Sequence, residues 1–230
     1  MSAARQQILD ALRRSLRRDV LPEADRVALE ARLAAPKPGL IPARSRSDGR
    51  ARVAQFLKMA EEAAATVTHL PSLRDVPGAV TDYLARENLP AALRLAPDPR
   101  LQSLPWAGRP LLSISTGRSD GSDPVSLTPA FAGIAETGTL VLLSGAETPT
   151  TLNFLPDTHI VLLEAGDIVG AYENVWPLLR ARFGAAAMPR TVNLITGPSR
   201  SADIEQTLQM GAHGPRRLHI LLVDEQEATR

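Results

Sequence analysis

From Arg50 onward, short apolar runs bounded by turn residues alternate with longer stretches of helical periodicity, and this alternation constrains the fold more than any other feature of the chain. Strand candidates fall at 66–70, 92–95, 111–115, 125–127, 139–143, 159–163, 192–196 and 218–223, with helical patterns at 50–65, 76–87 and 167–183. Strands joined through helices pair in parallel, because the crossover brings each strand back in the same direction, and the helices then cover both faces of the sheet. The expectation is an α/β fold with three α/β/α layers and a mainly parallel sheet. No internal repeat or low-complexity tract interrupts it.

The first 49 residues read differently. Ile8, Leu9, Leu12 and Leu16 recur at helical spacing opposite Arg13, Arg14, Arg17 and Arg18, and a second helical pattern covers 22–34. Pro36, Pro38, Gly39 and Pro42 then break the periodicity, and 44–49 is polar. We therefore expect a helical N-terminal arm and linker over 1–49 and an α/β domain over 50–230. The basic face of the first helix reads as a solvated surface, with a docking partner or a membrane surface as the alternatives, and no partner is drawn from it.

With 230 residues, 44% of them hydrophobic, the chain can bury a substantial core. It contains no Cys, which excludes disulfides, a thiolate nucleophile, a zinc ribbon and a Cys-ligated iron–sulfur cluster within these residues. A net charge of +1 argues against a nucleic-acid binder, which normally carries a basic excess to neutralise phosphates. No run approaches the roughly 18 apolar residues of a membrane span, and the charged N-terminus lacks a signal-peptide core, so the expected location is the cytoplasm. Neither a Gly-x-Gly-x-x-Gly fingerprint nor a Walker A loop is present, and no cofactor is expected.

Within the α/β region, the apolar run Thr191-Val192-Asn193-Leu194-Ile195 leads into Thr196-Gly197-Pro198-Ser199-Arg200-Ser201 and then Ala202-Asp203-Ile204-Glu205. It reads as strand, tight turn and helix N-terminus. The unpaired N–H groups of such a terminus, with Ser199, Arg200 and Ser201 beside them, suit an anion. The structural alternative is a turn at Gly197-Pro198 with Ser201 as helix cap. Upstream, Glu136-Thr137-Gly138-Thr139 sets a carboxylate beside a Gly that permits close backbone approach, just before an apolar run. Glu136 there suits a general base or nucleophile, or else a solvated turn residue.

Three segments in this order, Ala135-Glu136-Thr137-Gly138-Thr139-Leu140-Val141-Leu142, Pro156-Asp157-Thr158-His159-Ile160-Val161-Leu162-Leu163 and Thr196 through Pro215, closely resemble the lactate utilization protein C family, whose domain is called the LUD domain. The resemblance runs from about Ala130 to the C-terminus. It implies the three-layer fold shared with ribose-5-phosphate isomerase and the coenzyme A transferases. It also implies a non-redox role in cytoplasmic oxidation of L-lactate to pyruvate, beside iron–sulfur partner proteins, by binding an anionic metabolite or by scaffolding. The rival reading is a stand-alone isomerase or transferase acting on a sugar phosphate or acyl thioester, with Glu136 as base or nucleophile. A ligand-sensing module is a third.

Of the four His, His69 and His219 lie in strand-like apolar surroundings and read as structural. His159, at the mouth of a strand, and His213, between Gly211-Ala212 and Gly214, suit an acid, a base or a polar ligand contact. Neither forms a metal-binding pair at recognisable spacing, so no metal is expected. The candidate catalytic residues are Glu136, His159 and His213. The candidate ligand-binding residues are Thr137, Gly138, Thr196, Gly197, Ser199, Arg200 and Ser201.

Overall fold

A computed structural model describes residues 3–17, 21–184, 187–204 and 207–224, and the chain divides into two compact units, Met1–Leu40 and Ile41–Arg230. The smaller unit holds helices α1 (Ala3–Ser15) and α2 (Glu23–Ala34), neither of which buries a residue. Its apolar residues Ile8, Leu12 and Leu33 are exposed, and Arg26 pairs with Glu23 and Glu30, each one turn away on either side. Arg18 lies outside the described residues.

In the larger unit the helices are α3 (Gly49–Glu62), α4 (Val76–Arg86), the single turns α5 (Pro99–Gln102) and α6 (Thr151–Phe154), and α7 (Tyr172–Phe183). The first strands are β1 (Thr66–Leu70), β2 (Ala92–Leu95), β3 (Ser113–Thr116), β4 (Val125–Pro129), β5 (Ala132–Ile134) and β6 (Thr139–Leu143). They are followed by β7 (Thr158–Glu164), β8 (Ile168–Val169), β9 (Val192–Ile195), β10 (Arg200–Ile204), β11 (Thr207–Met210) and β12 (Arg217–Val223). Pro77 sits in the first turn of α4, where its missing N–H costs no hydrogen bond.

Six strands form a parallel sheet in the order β1-β12-β7-β4-β2-β3. Its middle strands are covered on both faces, which is why β7 and β12 read as nearly unbroken apolar runs. Successive side chains still point to opposite faces. On one face Ile160, Leu162, Leu221 and Val223 pack with Val76, Val80, Tyr83 and Leu84 of α4. On the other, Val161, Leu163, Leu218, Ile220 and Leu222 pack with Phe56 and Ala60 of α3 and with Leu140 and Leu142 of β6.

The strands at 139–143 and 192–196 do not join that sheet. They lie in a second, four-stranded sheet of order β8-β5-β6-β9, in which β5–β6 and β6–β9 are antiparallel. The cause is local: Glu136-Thr137-Gly138 connects β5 to β6 as a tight hairpin, with Gly138 at φ +64°. This sheet packs one face on the parallel sheet and the other on Val175 and Leu179 of α7. The helical pattern expected from residue 167 starts at Tyr172, because Ile168 and Val169 pair with β5 instead.

The second departure falls at the candidate anion site. After Pro198 the chain forms no helix: β10 and β11 make an antiparallel hairpin, with Arg200 opposite Met210 and Ser201 opposite Gln209. Ser201, Asp203 and Glu205 are good helix-start signals, but Ser199 is held in an extended path by two backbone bonds. It donates to Pro215 O at 2.8 Å and accepts from Gly211 N at 2.9 Å. Tertiary pairing overrides local propensity here, and the helix N-terminus on which anion binding at 199–201 rested is absent.

Candidate functional site

The Glu136 turn is tied on every side. Its backbone N–H donates to Gly170 O at 3.0 Å, and Arg44 Nη2 stands 3.4 Å from its Oε1. The carboxylate is largely covered, but the Arg44 side chain is 68% exposed, so this is a solvated ion pair of small net value. Thr137 Oγ1 lies 2.6 Å from Thr139 Oγ1, and both lie 3.0 Å from Tyr172 Oη. Thr139 Oγ1 also meets Thr196 Oγ1 at 2.6 Å. Four contacts link four hydroxyls, so the network can use each of its own protons internally and stitch the β5–β6 turn to α7 and β9. Gly138 fits against α3 so closely that a Cβ would stand 2.2 Å from Ala60 N.

A separate pocket of about 230 Å³ opens at the amino ends of β7 and β12, beside the exit of β9. His159, Gly197, Ser199 and His213 line it, together with Asn153, which the sequence did not single out, and with apolar walls from Phe154, Leu194, Ile195 and Leu218. Glu136, Thr137, Gly138, Thr196, Arg200 and Ser201 are not among its lining residues. The turn at 197–199 is pinned to the end of α3: a Cβ on Gly197, at φ +70°, would stand 2.0 Å from Ala63 O. Arg200 Nη2 donates to that same carbonyl at 2.7 Å, a cation at a helix C-terminus. Ser199 Oγ accepts from His213 N at 3.4 Å, which leaves its own proton for another acceptor.

His159 is fully buried on the α3 face of the parallel sheet. Its Nε2 meets Thr128 Oγ1 at 2.7 Å, while its Nδ1 is buried without a hydrogen-bond partner. Burial pushes its pKa down to about 3, so the ring is neutral near pH 7 and acts there as a polar contact rather than a proton donor in acid catalysis. His219 points to the opposite face, stacked 3.9 Å from Tyr83 with Nδ1 2.8 Å from Thr66 Oγ1. Burial and then Arg86 lower its pKa to about 4, and it lines no pocket described here. His69 is exposed and bonds Asp224 at 2.6 Å, beside an open depression of about 770 Å³ at the carboxyl ends of β1 and β12. That depression lies where open parallel sheets usually bind ligands, but among the described residues no unpartnered buried polar atom lines it. Among the described residues no three His, Asp or Glu side chains group as a cation site.

The family model of the LUD domain matches residues 123–223, a span that includes every residue lining the His159 pocket. A lactate utilization protein C from Anoxybacillus flavithermus is 38% identical over 92 residues, 40% of this chain and 40% of that protein. Another from Geobacillus thermodenitrificans is 35% identical over 116 residues, 48% of each. An uncharacterized protein of Neisseria meningitidis serogroup B is 43% identical over 94 residues, 41% of this chain and 40% of its own length. The matched stretch thus spans less than half the length of these relatives. A DUF162 family protein from Deinococcus radiodurans shares the fold, with a TM-score of 0.55 at 23% identity, over 77% of this chain and 99% of that one.

Proposed function

We propose that this chain, whose residues 123–223 match the LUD domain and are related to lactate utilization protein C, serves L-lactate oxidation as a component without a redox centre. In this reading the His159 pocket holds a small carboxylate while partner proteins with iron–sulfur clusters move the electrons. None of the 230 residues is Cys, which accords with that division of labour. In this reading the assembly works in the cytoplasm, which is compatible with the lack, among the described residues, of a helix long and apolar enough to cross a membrane.

One observation carries the ligand role: a pocket of about 230 Å³ whose polar side chains are His159, Ser199, His213 and Asn153. Such a volume suits a molecule of few heavy atoms, at the small end of ligand sites. Among the described residues neither Asp nor Glu lines it, so none of them repels a carboxylate there. Among the described residues no Lys or Arg lines it either, so in this reading the ligand is held by hydrogen bonds, which the apolar walls strengthen by lowering the local dielectric. The isomerase or transferase reading needs Glu136 to act on a ligand at the 199–201 turn. Glu136 faces Arg44 and lies outside the pocket lining, and no observation favours that reading.

A strain lacking the gene is expected to grow poorly on L-lactate and normally on other carbon sources. The tagged chain, recovered anaerobically from lactate-grown cells, is expected to bring down Cys-rich partners with lactate-oxidising activity. Normal growth on lactate without a paralogue to cover the loss would falsify the reading.

A further inference from the structure

We propose that Thr128 fixes His159 as the tautomer protonated at Nδ1, and that this buried N–H makes the pocket selective for ligands that present an oxygen acceptor, a carboxylate or carbonyl. The inference rests on the pocket being the ligand site and names the group the site reads.

The argument is a count of protons. Two arrangements fit the 2.7 Å contact between Thr128 Oγ1 and His159 Nε2. If Nε2 carried the proton, it would donate to Thr128, and the Thr128 hydroxyl proton would then need an acceptor of its own. Thr128 is buried at 1% exposure and has no other hydrogen-bond partner among the described residues. That arrangement strands a buried hydroxyl proton, at a cost of about 1–3 kcal/mol. In the other arrangement Thr128 donates to Nε2 and the one unpaired proton is the Nδ1–H, on a ring that lines the pocket, whereas the first arrangement leaves both the hydroxyl proton and the Nδ1 lone pair unpaired.

Nδ1 is buried without a partner, on a ring that lines the pocket. An unpaired buried donor asks for an acceptor from whatever fills the space beside it. Ser199 also has a proton to give, since its Oγ accepts from His213 N. The pocket is therefore biased toward donors, which match the lone pairs of a carboxylate or keto oxygen and mismatch an ammonium group. His219 sharpens the contrast. Its Thr66 partner has a second acceptor, Leu218 O at 3.5 Å, so no tautomer is forced there, and the ring packs on Tyr83 instead. Thr128 acts through His159 and is a positioning residue.

The test is a long-range ¹H–¹⁵N spectrum of the full chain with labelled histidine, the His159 signals being assigned by their loss in His159→Gln. The expected result is a neutral ring with Nδ1 protonated, retained in Thr128→Ser and released in Thr128→Val. Acetate and pyruvate should shift the Nδ1–H resonance, with affinity about tenfold weaker in Thr128→Val, equivalent to about 1.4 kcal/mol. A ring protonated at Nε2 overturns the inference whatever the ligand does, and leaves the lactate reading to its own growth test. An Nδ1–H signal indifferent to acetate, pyruvate and inorganic phosphate also overturns it, because the donor then serves only a buried water.

Discussion

Replacing Gly138 by Ala is expected to cost about 3 kcal/mol or more of folding stability, a large share of a typical folding free energy of about 5–15 kcal/mol. Two effects add. At φ +64° an L side chain pays roughly 1–2 kcal/mol for the left-handed backbone. Its Cβ would also stand 2.2 Å from Ala60 N and 2.5 Å from Met59 C, and these are backbone atoms inside α3 that cannot rotate away. Either the β5–β6 turn or the helix must move, and Phe56 and Ala60 of that helix are fully buried in the core. Gly49→Ala serves as the control: φ is +44° there, but no atom lies within 4 Å of the new Cβ, so only the backbone cost of about 1 kcal/mol is expected. Chemical denaturation of both variants checks the difference. Equal losses would mean that the packing of the turn against α3 is looser than described.

Acidification gives the second large effect. His159 and His219 have folded-state pKa values of about 3 and about 4, below the ordinary value of 6.5, because burial disfavours the charged ring. The unfolded chain takes up protons below pH 6.5 at both positions while the folded chain does not. Stability is therefore fully present above pH 6.5 and falls as pH drops toward 4 and then 3. The slope is about 1.4 kcal/mol per pH unit for each ring, so the two together remove on the order of 4 kcal/mol between pH 7.5 and pH 5. That is a large share of a typical folding free energy. Urea midpoints measured across this range should fall steeply. His219→Phe, which keeps an aromatic ring against Tyr83, should remove about half of the slope. A flat profile from pH 7.5 to 5 would mean that both rings are hydrated in the folded state.

Much of this architecture is legible in the sequence because burial on both faces leaves a plain signature. The runs that became β7 and β12 stand out by their nearly unbroken apolar character, and their alternation with helical patterns points to parallel pairing. The second sheet was less legible. Its β6 strand is just as apolar, and only the three-residue β5, too short to show a period, reveals that the Glu136 turn closes a hairpin. The β10–β11 hairpin was misread as a helix because Ser201 and Glu205 carry genuine cap chemistry. What decides the matter is the pair of bonds from Ser199 to Gly211 and Pro215, and no local pattern encodes them.

The candidate site divides along the same line. His159, Gly197, Ser199 and His213 stood out by their places beside strands and turns, and the fold sets them around one pocket. Thr128 and Asn153 carry no such mark. Thr128 reaches His159 only because β4 pairs with β7 in the register that sets Ser126 against His159. Glu136 looked like a partner to the 199–201 turn through its motif, yet its side chain answers to Arg44.

The central claim is that the His159 pocket takes a small carboxylate in service of lactate oxidation. Calorimetric titration of the full chain with pyruvate and with L-lactate tests it most directly, beside a Ser199→Ala variant examined in the same way and for growth on lactate. The account predicts saturable one-site binding of at least one of the two acids, weakened about tenfold when the Ser199 hydroxyl is removed, a loss near 1.4 kcal/mol, with slower growth on lactate to match. No saturable binding of either acid, together with unchanged growth of the Ser199→Ala strain, would contradict it.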